Sequence, residues 1–270
     1  MRLDVRMAEL GLASSRERAR AMIMAGEVLI NGERADKPGI QLKEDAVITV
    51  KEDPVPFVSR GGLKLQKAVT EFALDLQGSV CADVGASTGG FTDCMLQHGA
   101  SHVYAIDVGY GQLDWKLRND PRVTVMERTN ARNMQPDWFE KSIGFASIDV
   151  SFISLRLILP ALLPCLLPGA HTVALIKPQF EAGRGQVGKH GVVREKATHI
   201  SVCESILTFS QELGFMIGGL SFSPIKGPKG NIEFLMLLQK PDAALSHAAA
   251  QNIVDVARIV EAAHLQMDKA

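Results

Sequence analysis

Cysteine is scarce and unpatterned in this chain of 270 residues. The four cysteines lie far apart and form no CxxC pair: Cys81, Cys94, Cys165 and Cys203. This spacing excludes a zinc ribbon and favours reduced, buried thiols in a cytosolic protein. The histidines His190 and His199 have no carboxylates at metal-ligand spacing. We therefore expect no metal site.

The chain also lacks a long apolar run and an excess of charge of one sign. Its most apolar segment, residues 157–167, is short and contains Pro160 and Pro164, so it is not expected to span a bilayer. The N-terminus has no apolar signal-peptide core. The formal net charge is −1, so a nucleic-acid surface has to be a local patch. We expect a soluble, cytoplasmic protein with no membrane partner.

The most informative segment begins at Cys81 and reads CADVGASTGGFT. It places an apolar strand before a run of small residues and then an amphipathic stretch over residues 91–98. A strand, a glycine-rich turn and a helix start are typical of a nucleotide-type cofactor site. A second apolar strand, residues 103–107, ends at Asp107, whose carboxylate would accept hydrogen bonds from ribose hydroxyls. The sequence therefore predicts an adenosine-containing cofactor.

The glycine spacing indicates which cofactor. NAD sites read GxGxxG because a pyrophosphate lies on the helix N-terminus, whereas this chain reads DVGASTGGF. Asp83 would repel a pyrophosphate but would suit the ammonium of S-adenosylmethionine. For Asn130 an Asx-turn is the alternative to a cofactor contact. The predicted cofactor-binding residues are Asp83, Gly85, Ser87, Thr88, Gly89, Gly90, Phe91, Asp107 and Asn130.

Strands and helices alternate along most of the chain, which indicates a doubly wound α/β domain. The predicted strands are 79–84, 103–107, 123–126, 145–150, 172–176, 217–222 and 234–238, and the predicted helices include 64–72, 91–98, 155–167 and 197–213. Seven strands fit a class I methyltransferase with a Rossmann-like sheet. We predict a small α+β domain over residues 1–52, a linker over 53–58, a catalytic domain over 59–242 and a helical tail over 243–270.

The N-terminal segment has its own pattern. Ser14 is the predicted N-cap of a helix, with Glu17 three residues later. Asn31-Gly32 predicts a hairpin with a type I′ turn, and a further strand is predicted over residues 46–50. Residues 15–32 read SRxRARxMIxAGxVxING, which resembles the S4 RNA-binding domain. The matched numbers of acidic and basic residues leave a solvated helix face as the alternative.

The S4 resemblance implies RNA binding, and planar guanidinium groups suit phosphates. The predicted RNA contacts are Arg2, Arg6, Arg16, Arg20, Arg60, Arg184 and Lys189. The last two lie in a glycine-rich, basic loop over residues 179–191, which we interpret as an RNA-facing lid. A disordered surface loop is compatible with the same composition.

Four polar residues occupy places that a buried core would not favour. Asp149 and Lys177 each end an apolar strand, Lys64 follows SRGG, and Glu233 precedes an apolar strand. Ligands of parallel α/β sheets bind beyond the carboxyl ends of the strands, so these residues are expected at the cofactor crevice. A solvated strand end is the alternative for each one alone. Together they resemble the Lys-Asp-Lys-Glu tetrad of RrmJ-type (FtsJ) ribose 2′-O-methyltransferases.

The wider set of motifs resembles the TlyA family. It comprises SRGGxKL, DVGASTGGFTD, ERTNAR, DVSFISL, IKPQFE and GxxGNIEF, and it covers nearly the whole chain. The resemblance implies methylation of cytidine ribose in 16S and/or 23S ribosomal RNA with S-adenosylmethionine, with ribosomal RNA or ribosomal subunits as partners. The resemblance also implies an older name of this family, haemolysin. An NAD-dependent oxidoreductase, a catalytically silent RNA-binding factor and a pore-forming toxin are the disfavoured alternatives.

The tetrad suggests a mechanism. A ribose hydroxyl is a poor nucleophile until a base takes its proton, and Lys177 is the predicted general base. Desolvation and the nearby cation of Lys64 are expected to favour its neutral amine. Asp149 and Glu233 are expected to orient the lysines and balance their charge.

Overall fold

A computed structural model describes residues 1–13, 15–24, 26–43, 45–50, 55–188, 190–227, 229–242 and 254–267. The chain divides into two compact units, Met1–Val58 and Ser59–Ala270. Within the described residues no helix combines the length and apolar character that crossing a membrane requires. The predicted cap Ser14, the predicted RNA contact Lys189, and parts of the predicted linker and tail lie outside the described residues.

The first unit packs two helices against a small antiparallel sheet. Its elements are α1 (Leu3–Glu9), α2 (Arg16–Met24), β1 (Val28–Ile30), β2 (Glu33–Arg34) and β3 (Ile48–Val50). The strand order is β2-β1-β3, with both pairings antiparallel. Leu3 and Met7 of α1 pack with Ile23 of α2 and Val28 of β1 in one buried cluster. This apolar cluster holds the unit together because burial of such side chains is the main favourable term in folding.

The hairpin between β1 and β2 forms at the predicted dipeptide. Asn31 and Gly32 have φ values of 51° and 85°, and Ile30 pairs with Glu33 across them. Positive φ at both central residues defines the type I′ turn, so this prediction is confirmed. Asn31 also accepts a hydrogen bond through Oδ1 from the backbone N of Val47 (2.8 Å). The turn residue thereby fixes the chain just before β3.

The second unit contains a seven-stranded sheet, as predicted. Its strands are β4 (Val80–Val84), β5 (His102–Ile106), β6 (Val123–Met126), β7 (Ile143–Ile148), β8 (Leu166–Ile176), β9 (Met216–Phe222) and β10 (Phe234–Gln239). The order is β6-β5-β4-β7-β8-β10-β9. The first five strands pair in parallel, and β10 runs antiparallel to both β8 and β9. The carboxyl ends of the parallel strands therefore meet at one edge of the sheet.

Seven α-helices accompany this sheet. They are α3 (Gly62–Glu71), α4 (Gly90–Gln97), α5 (Trp115–Arg118), α6 (Leu159–Leu162), α7 (Pro178–Glu181), α8 (Lys196–Leu213) and α9 (Val256–Met267), within the described residues. Buried side chains of α8 and α9, such as Ile206 and Val260, join Phe234 and Leu238 of β10 in the large core cluster. The strand β10 is thus covered, which suits its nearly continuous apolar sequence.

The predicted helix over residues 155–167 is wrong. The chain forms a 3-10 turn at Leu155–Leu157, the single turn α6, a second 3-10 turn at Leu163–Cys165, and then enters β8 at Leu166. Pro164 has no backbone N–H, and its ring would clash with the carbonyl four residues earlier in a continuous helix. The apolar sequence remains buried, but as short turns that lead into a strand.

Asp4 ties α1 to the start of α2. It is fully buried, and its carboxylate accepts hydrogen bonds from Nε of Arg2 and Nε of Arg16, both at 2.9 Å. The hydrogen bond from Arg2, reinforced by Arg16, holds the pKa of Asp4 well below its usual range despite desolvation. Two arginines predicted to contact RNA therefore also have a structural role, while about half of each side chain stays exposed.

We expect Asp4→Asn to loosen the first unit selectively. A carboxyl whose pKa is depressed on folding contributes stability above its unfolded pKa, and this contribution is lost as the pH falls towards the folded value. Amide exchange in residues 1–50 should therefore be faster in Asp4→Asn than in wild type at pH 7, with a smaller difference under acid conditions. Amides of β4 and β7 should be unaffected. The control is Glu9→Gln, which removes only the exposed pair with Arg6; equal exchange in wild type and Asp4→Asn would contradict the prediction.

Candidate active site

Four predicted residues converge at one edge of the large sheet. Asp149 follows β7 and Lys177 follows β8, at the carboxyl ends of neighbouring parallel strands. Glu233 precedes β10, which runs antiparallel to β8 with Phe234 opposite Ile176. The start of β10 therefore lies beside the end of β8. This explains how Glu233, which precedes β10, reaches the edge of the sheet where Asp149 and Lys177 follow their strands.

The fourth residue, Lys64 on α3, completes a chain of alternating charges. Lys177 Nζ lies 2.5 Å from Asp149 Oδ1, and Lys64 Nζ lies 3.5 Å from Asp149 Oδ2. Lys64 Nζ also donates a hydrogen bond to Glu233 Oε2 at 2.6 Å. Both lysines and Glu233 are buried. We call Lys64, Asp149, Lys177 and Glu233 the tetrad; its two positive and two negative groups balance.

Burial and neighbouring charges shift the pKa values of Lys64 and Asp149 in opposite directions. Burial would lower the pKa of Lys64, but the charges of Asp149 and Glu233 outweigh it and raise that pKa above its ordinary value. Burial would raise the pKa of Asp149, yet the flanking cations of Lys64 and Lys177 hold it low. Asp149 lies between the amino groups of Lys64 and Lys177, with a carboxylate oxygen within 3.5 Å of each.

Two glycines allow the backbones around the tetrad to approach closely. Gly85 has φ of 89°, and a Cβ there would lie 2.7 Å from the backbone O of Asp149. At Gly90 a Cβ would meet Ser59 Oγ, and it would lie 2.8 Å from the backbone N of Gly62, the first residue of α3. The absence of side chains at these positions therefore lets the loop that carries Asp149 and the helix that carries Lys64 pack against the glycine turn.

A cavity of about 440 Å³ opens beside the glycine turn. Asp107 lines it, and its carboxylate accepts hydrogen bonds from the backbone N of Ser87 (2.8 Å) and of Gly109 (2.6 Å). Apolar walls come from Ile106, Val108, Ile153 and Ile158. A fixed carboxylate beside apolar walls suits a ribose joined to a planar base, so these residues fit the adenosine part of a cofactor.

A second cavity of about 230 Å³ contains the tetrad. The two cavities have Gly85, Ser87, Asp149 and Ser151 in common, so they adjoin. Thr88, Gly90 and Phe91 also line the tetrad cavity, and Gly89 (φ 94°) caps the N-terminus of α4. Gly85 and Ser87 therefore lie at the junction of the two cavities, whereas Thr88, Gly90 and Phe91 line the tetrad cavity alone and Gly89 lines neither. Their contacts with a cofactor stay predictions.

Asp83 and Asn130 both have hydrogen-bond partners within the protein. Asp83 is fully buried, lines neither cavity, and accepts hydrogen bonds from Thr92 Oγ1 (2.7 Å) and Ser147 Oγ (3.2 Å). Burial raises the pKa of Asp83 to about 7. Its predicted contact with the cofactor therefore requires an intermediary. Asn130 lines the larger cavity, but its Oδ1 accepts from Arg132 N (3.1 Å), which is the Asx-type cap considered as the alternative.

Sequence reasoning missed three residues beside Lys177. Ser151 Oγ accepts a hydrogen bond from Lys177 Nζ (3.1 Å). Phe152 has φ of 64°, is 88% exposed, and its ring centroid lies 5.1 Å from that of Phe180. Glu181 accepts from Ser154 Oγ (2.6 Å) and from the backbone N of Leu155 (2.7 Å). Only the DVSFISL and KPQFE motifs hinted at them, and no spacing rule would have selected them.

Two of these residues, Ser151 and Phe152, line a third cavity, of about 220 Å³. Lys177, Ser151 and Glu233 line both this cavity and the tetrad cavity. Phe152 and Phe180 supply its aromatic surface. Lys177 therefore lines both the aromatic cavity and the tetrad cavity, and the tetrad cavity adjoins the space with the features of an adenosine site.

The predicted RNA contacts differ in their surroundings. Arg6 pairs with Glu9 at 3.4 Å, whereas Arg20 is exposed and has no carboxylate partner within the described part of the chain. Arg60 is also exposed. The backbone of Arg184 lies in a 3-10 turn, Arg184–Gln186. In the described ranges no group of three or more histidine, cysteine or acidic residues could hold a metal ion.

Known proteins share both units. Residues 57–240 match the FtsJ-like methyltransferase family, and residues 1–48 match the S4 domain. The 16S/23S rRNA (cytidine-2′-O)-methyltransferase TlyA of Mycobacterium tuberculosis is 46% identical over 255 residues, which cover 94% of this chain and 95% of that protein. Hemolysin A of Brachyspira hyodysenteriae is 42% identical, covering 87% of this chain and 98% of that protein.

A solved structure described as "Putative hemolysin from Streptococcus thermophilus" superposes with a TM-score of 0.79 and 48% identity, covering 100% of this chain and 97% of that one. The resemblance to TlyA that the sequence motifs indicated is confirmed by these matches. The tetrad, the glycine turn and both matched regions lead to one conclusion: the chain belongs to the FtsJ-like methyltransferase family and carries an S4 domain at its N-terminus.

Proposed function

We propose that this protein methylates the 2′-hydroxyl of cytidine in ribosomal RNA and uses S-adenosylmethionine as the methyl donor. The observation that carries the proposal is the position of Lys177, which is buried in the tetrad and lines both the aromatic cavity and the tetrad cavity that adjoins the adenosine-type cavity. The names of the relatives from Mycobacterium tuberculosis and Campylobacter jejuni, both cytidine-2′-O-methyltransferases of ribosomal RNA, support the choice of substrate.

The proposed donor fits the residues present. Asp107 would hold its ribose, and the apolar walls of the 440 Å³ cavity would take the adenine. The glycine turn would lie along the amino-acid portion, which leads towards Lys177. When bound, the sulfonium supplies an electrophilic methyl group that needs no metal.

The tetrad would handle the proton of the acceptor hydroxyl. Lys177 would first release its own proton to solvent; its neutral amine would then accept the hydroxyl proton, and Asp149 at 2.5 Å would stabilise the ammonium that forms. Lys64 and Glu233 would keep Asp149 ionised and oriented, because Lys64 contacts both carboxylates. Ser151 would hold the Lys177 side chain in place through its hydroxyl. Positioning the hydroxyl against the donor would supply much of the rate enhancement.

The aromatic cavity suits the acceptor nucleotide. Sequence-specific RNA enzymes bind unstacked bases on aromatic side chains. Phe152 is exposed and held at a positive φ by its surroundings, a kind of backbone strain that concentrates at functional sites. A base on Phe152 or Phe180 would bring its own ribose close to Lys177, which lines the same cavity.

The S4 unit would supply sequence-independent affinity for the RNA backbone through its exposed arginines. With ribosomal RNA or ribosomal subunits as substrate, we place the activity in the cytoplasm. The test of the whole proposal compares ribosomal RNA from cells with and without this protein by ribose-methylation mapping. A 2′-O-methylcytidine present only with the protein is the expected result; identical maps would rule the proposal out.

We expect Lys177→Arg to abolish methyl transfer while RNA and cofactor affinities stay within about twofold of wild type, because arginine keeps the charge but cannot act as a base at neutral pH. Transfer of labelled methyl to ribosomal subunits measures the rate, and calorimetry measures binding. The control is Lys196→Ala, which removes a lysine paired with Glu261 away from the tetrad. Substantial turnover by Lys177→Arg would refute the base assignment.

Asp107→Ala should weaken binding of S-adenosylmethionine by roughly 10- to 100-fold, the usual effect of losing a hydrogen bond to a charged group. The substitution also releases the backbone N–H groups of Ser87 and Gly109. Calorimetry with S-adenosylmethionine provides the measurement, and Asp75→Ala, at an exposed turn, is the control. Unchanged cofactor affinity would place the ribose elsewhere.

Arg20→Ala should weaken binding to ribosomal subunits and reduce the slope of log affinity against log salt by about one, as expected for one phosphate contact. Cofactor affinity should not change, because Arg20 belongs to the other unit. The matched control is Arg122→Ala, in which the lost guanidinium is already paired with Asp120. An unaltered salt slope in Arg20→Ala would argue against an RNA contact at this residue.

A further inference from the structure

Two loops beside the 440 Å³ cavity form one continuous rim. The loop after β5 and the loop after β6 are joined by backbone hydrogen bonds from Arg128 N to Gly109 O (3.0 Å) and from Thr129 N to Asp107 O (2.9 Å). Glu127 adds a third link, because its Oε1 accepts from Gly111 N (2.8 Å) and pairs with Arg118. The rim is therefore fixed relative to Asp107, which faces the cavity.

The outer side of this rim presents aromatic rings to solvent. Tyr110 is 68% exposed and Trp115 is 77% exposed. The guanidinium carbon of Arg128 lies 4.2 Å from the centroid of the Tyr110 ring. Neither Tyr110 nor Arg128 lines the cofactor cavity. These side chains are therefore available for a partner other than the cofactor.

The backbone of Arg128 is held in an uncommon conformation. Its φ is 53°, in the left-handed region that residues other than glycine seldom occupy. Such conformations persist where the surroundings fix them, and they concentrate at ligand-binding sites. Here the hydrogen bond from Arg128 N to Gly109 O fixes the residue, and the result is a guanidinium placed over an exposed ring.

The charge around the rings favours an anionic partner. Arg128 and Arg132 are exposed, and no carboxylate lies within ion-pair distance of either among the residues that the structure describes. Lys116 is largely exposed but pairs with Asp93 at 3.7 Å, so it does not count among the unpaired cations. An exposed aromatic ring together with an unpaired guanidinium plane matches unpaired nucleotides, which offer flat bases and phosphates together. An apolar protein partner would instead require a contiguous apolar patch.

We propose that Tyr110 and Arg128 form a stacking site for an unpaired nucleotide of the RNA substrate, separate from the acceptor position beside Lys177, and that the exposed ring of Trp115, five residues further along the chain, adds a second RNA contact. This inference rests on the proposed function, since it assumes an RNA substrate. It assigns the rim a second role: the inner side holds the cofactor through Asp107, and the outer side binds RNA that flanks the methylated nucleotide.

The test uses the full chain with ribosomal subunits as the probe. Tyr110→Ala should lower affinity for the subunits by roughly tenfold, the usual cost of removing one stacking ring. Tyr110→Phe is the matched control and should keep wild-type affinity because it retains the ring. Arg128→Asn should also lower affinity, since asparagine tolerates the left-handed backbone while removing the guanidinium. Affinity for S-adenosylmethionine should not change in any of the three.

Ultraviolet cross-linking of the wild-type complex identifies the occupant directly. A nucleotide attached at Tyr110 or Trp115 supports the proposal, whereas a ribosomal protein attached there overturns it. Unchanged subunit affinity of Tyr110→Ala, or loss of cofactor affinity instead, also overturns it. If the wild-type protein methylates and binds ribosomal subunits and Tyr110→Ala behaves identically, only this inference is ruled out. If the wild-type protein neither methylates nor binds the subunits, the proposed function is ruled out as well.

Discussion

The catalytic unit is organised around a buried row of alternating charges. Lys177, Asp149, Lys64 and Glu233 come from four separate segments, yet each lysine lies within 3.5 Å of a carboxylate. A buried charge left without its partner is strongly destabilising, so the four segments must meet in one arrangement. The same requirement that makes the tetrad costly to disrupt also fixes the position of Lys177 for chemistry.

The tetrad in turn depends on close backbone contacts. Gly85 lets the chain at Asp149 approach the glycine turn, and Gly90 lets the first turn of α3 approach α4. A larger residue at either position would push away a segment that carries a charged member of the tetrad. Gly85 and Gly90 are therefore required for bringing the residues of the tetrad together, in addition to any role in contacting a cofactor.

The sequence could predict the features that follow from local pattern. All seven strands of the sheet, the type I′ turn at Asn31-Gly32 and the tetrad residues at strand ends were predictable, since periodicity and turn chemistry are local. The prediction of a continuous helix over residues 155–167 was wrong because Pro164 interrupts it. Two hydrogen bonds could not be predicted in this way: Ser154 Oγ to Glu181, and Thr92 Oγ1 to the buried Asp83. Both depend on contacts between distant segments that no local pattern encodes.

The shared walls of the two main cavities would put the proposed methyl donor and the proposed base in one site. Gly85, Ser87, Asp149 and Ser151 border both the adenosine-type cavity and the tetrad cavity. Methyl transfer to a hydroxyl requires that the hydroxyl lose its proton at the place where the methyl group arrives. If the methyl donor and the base lay apart, the rate enhancement that comes from positioning the reacting groups would be lost. Asp149 meets both needs, because its backbone packs against Gly85 while its carboxylate pairs with Lys177. One residue would thereby couple the position of the proposed donor to the position of the proposed base.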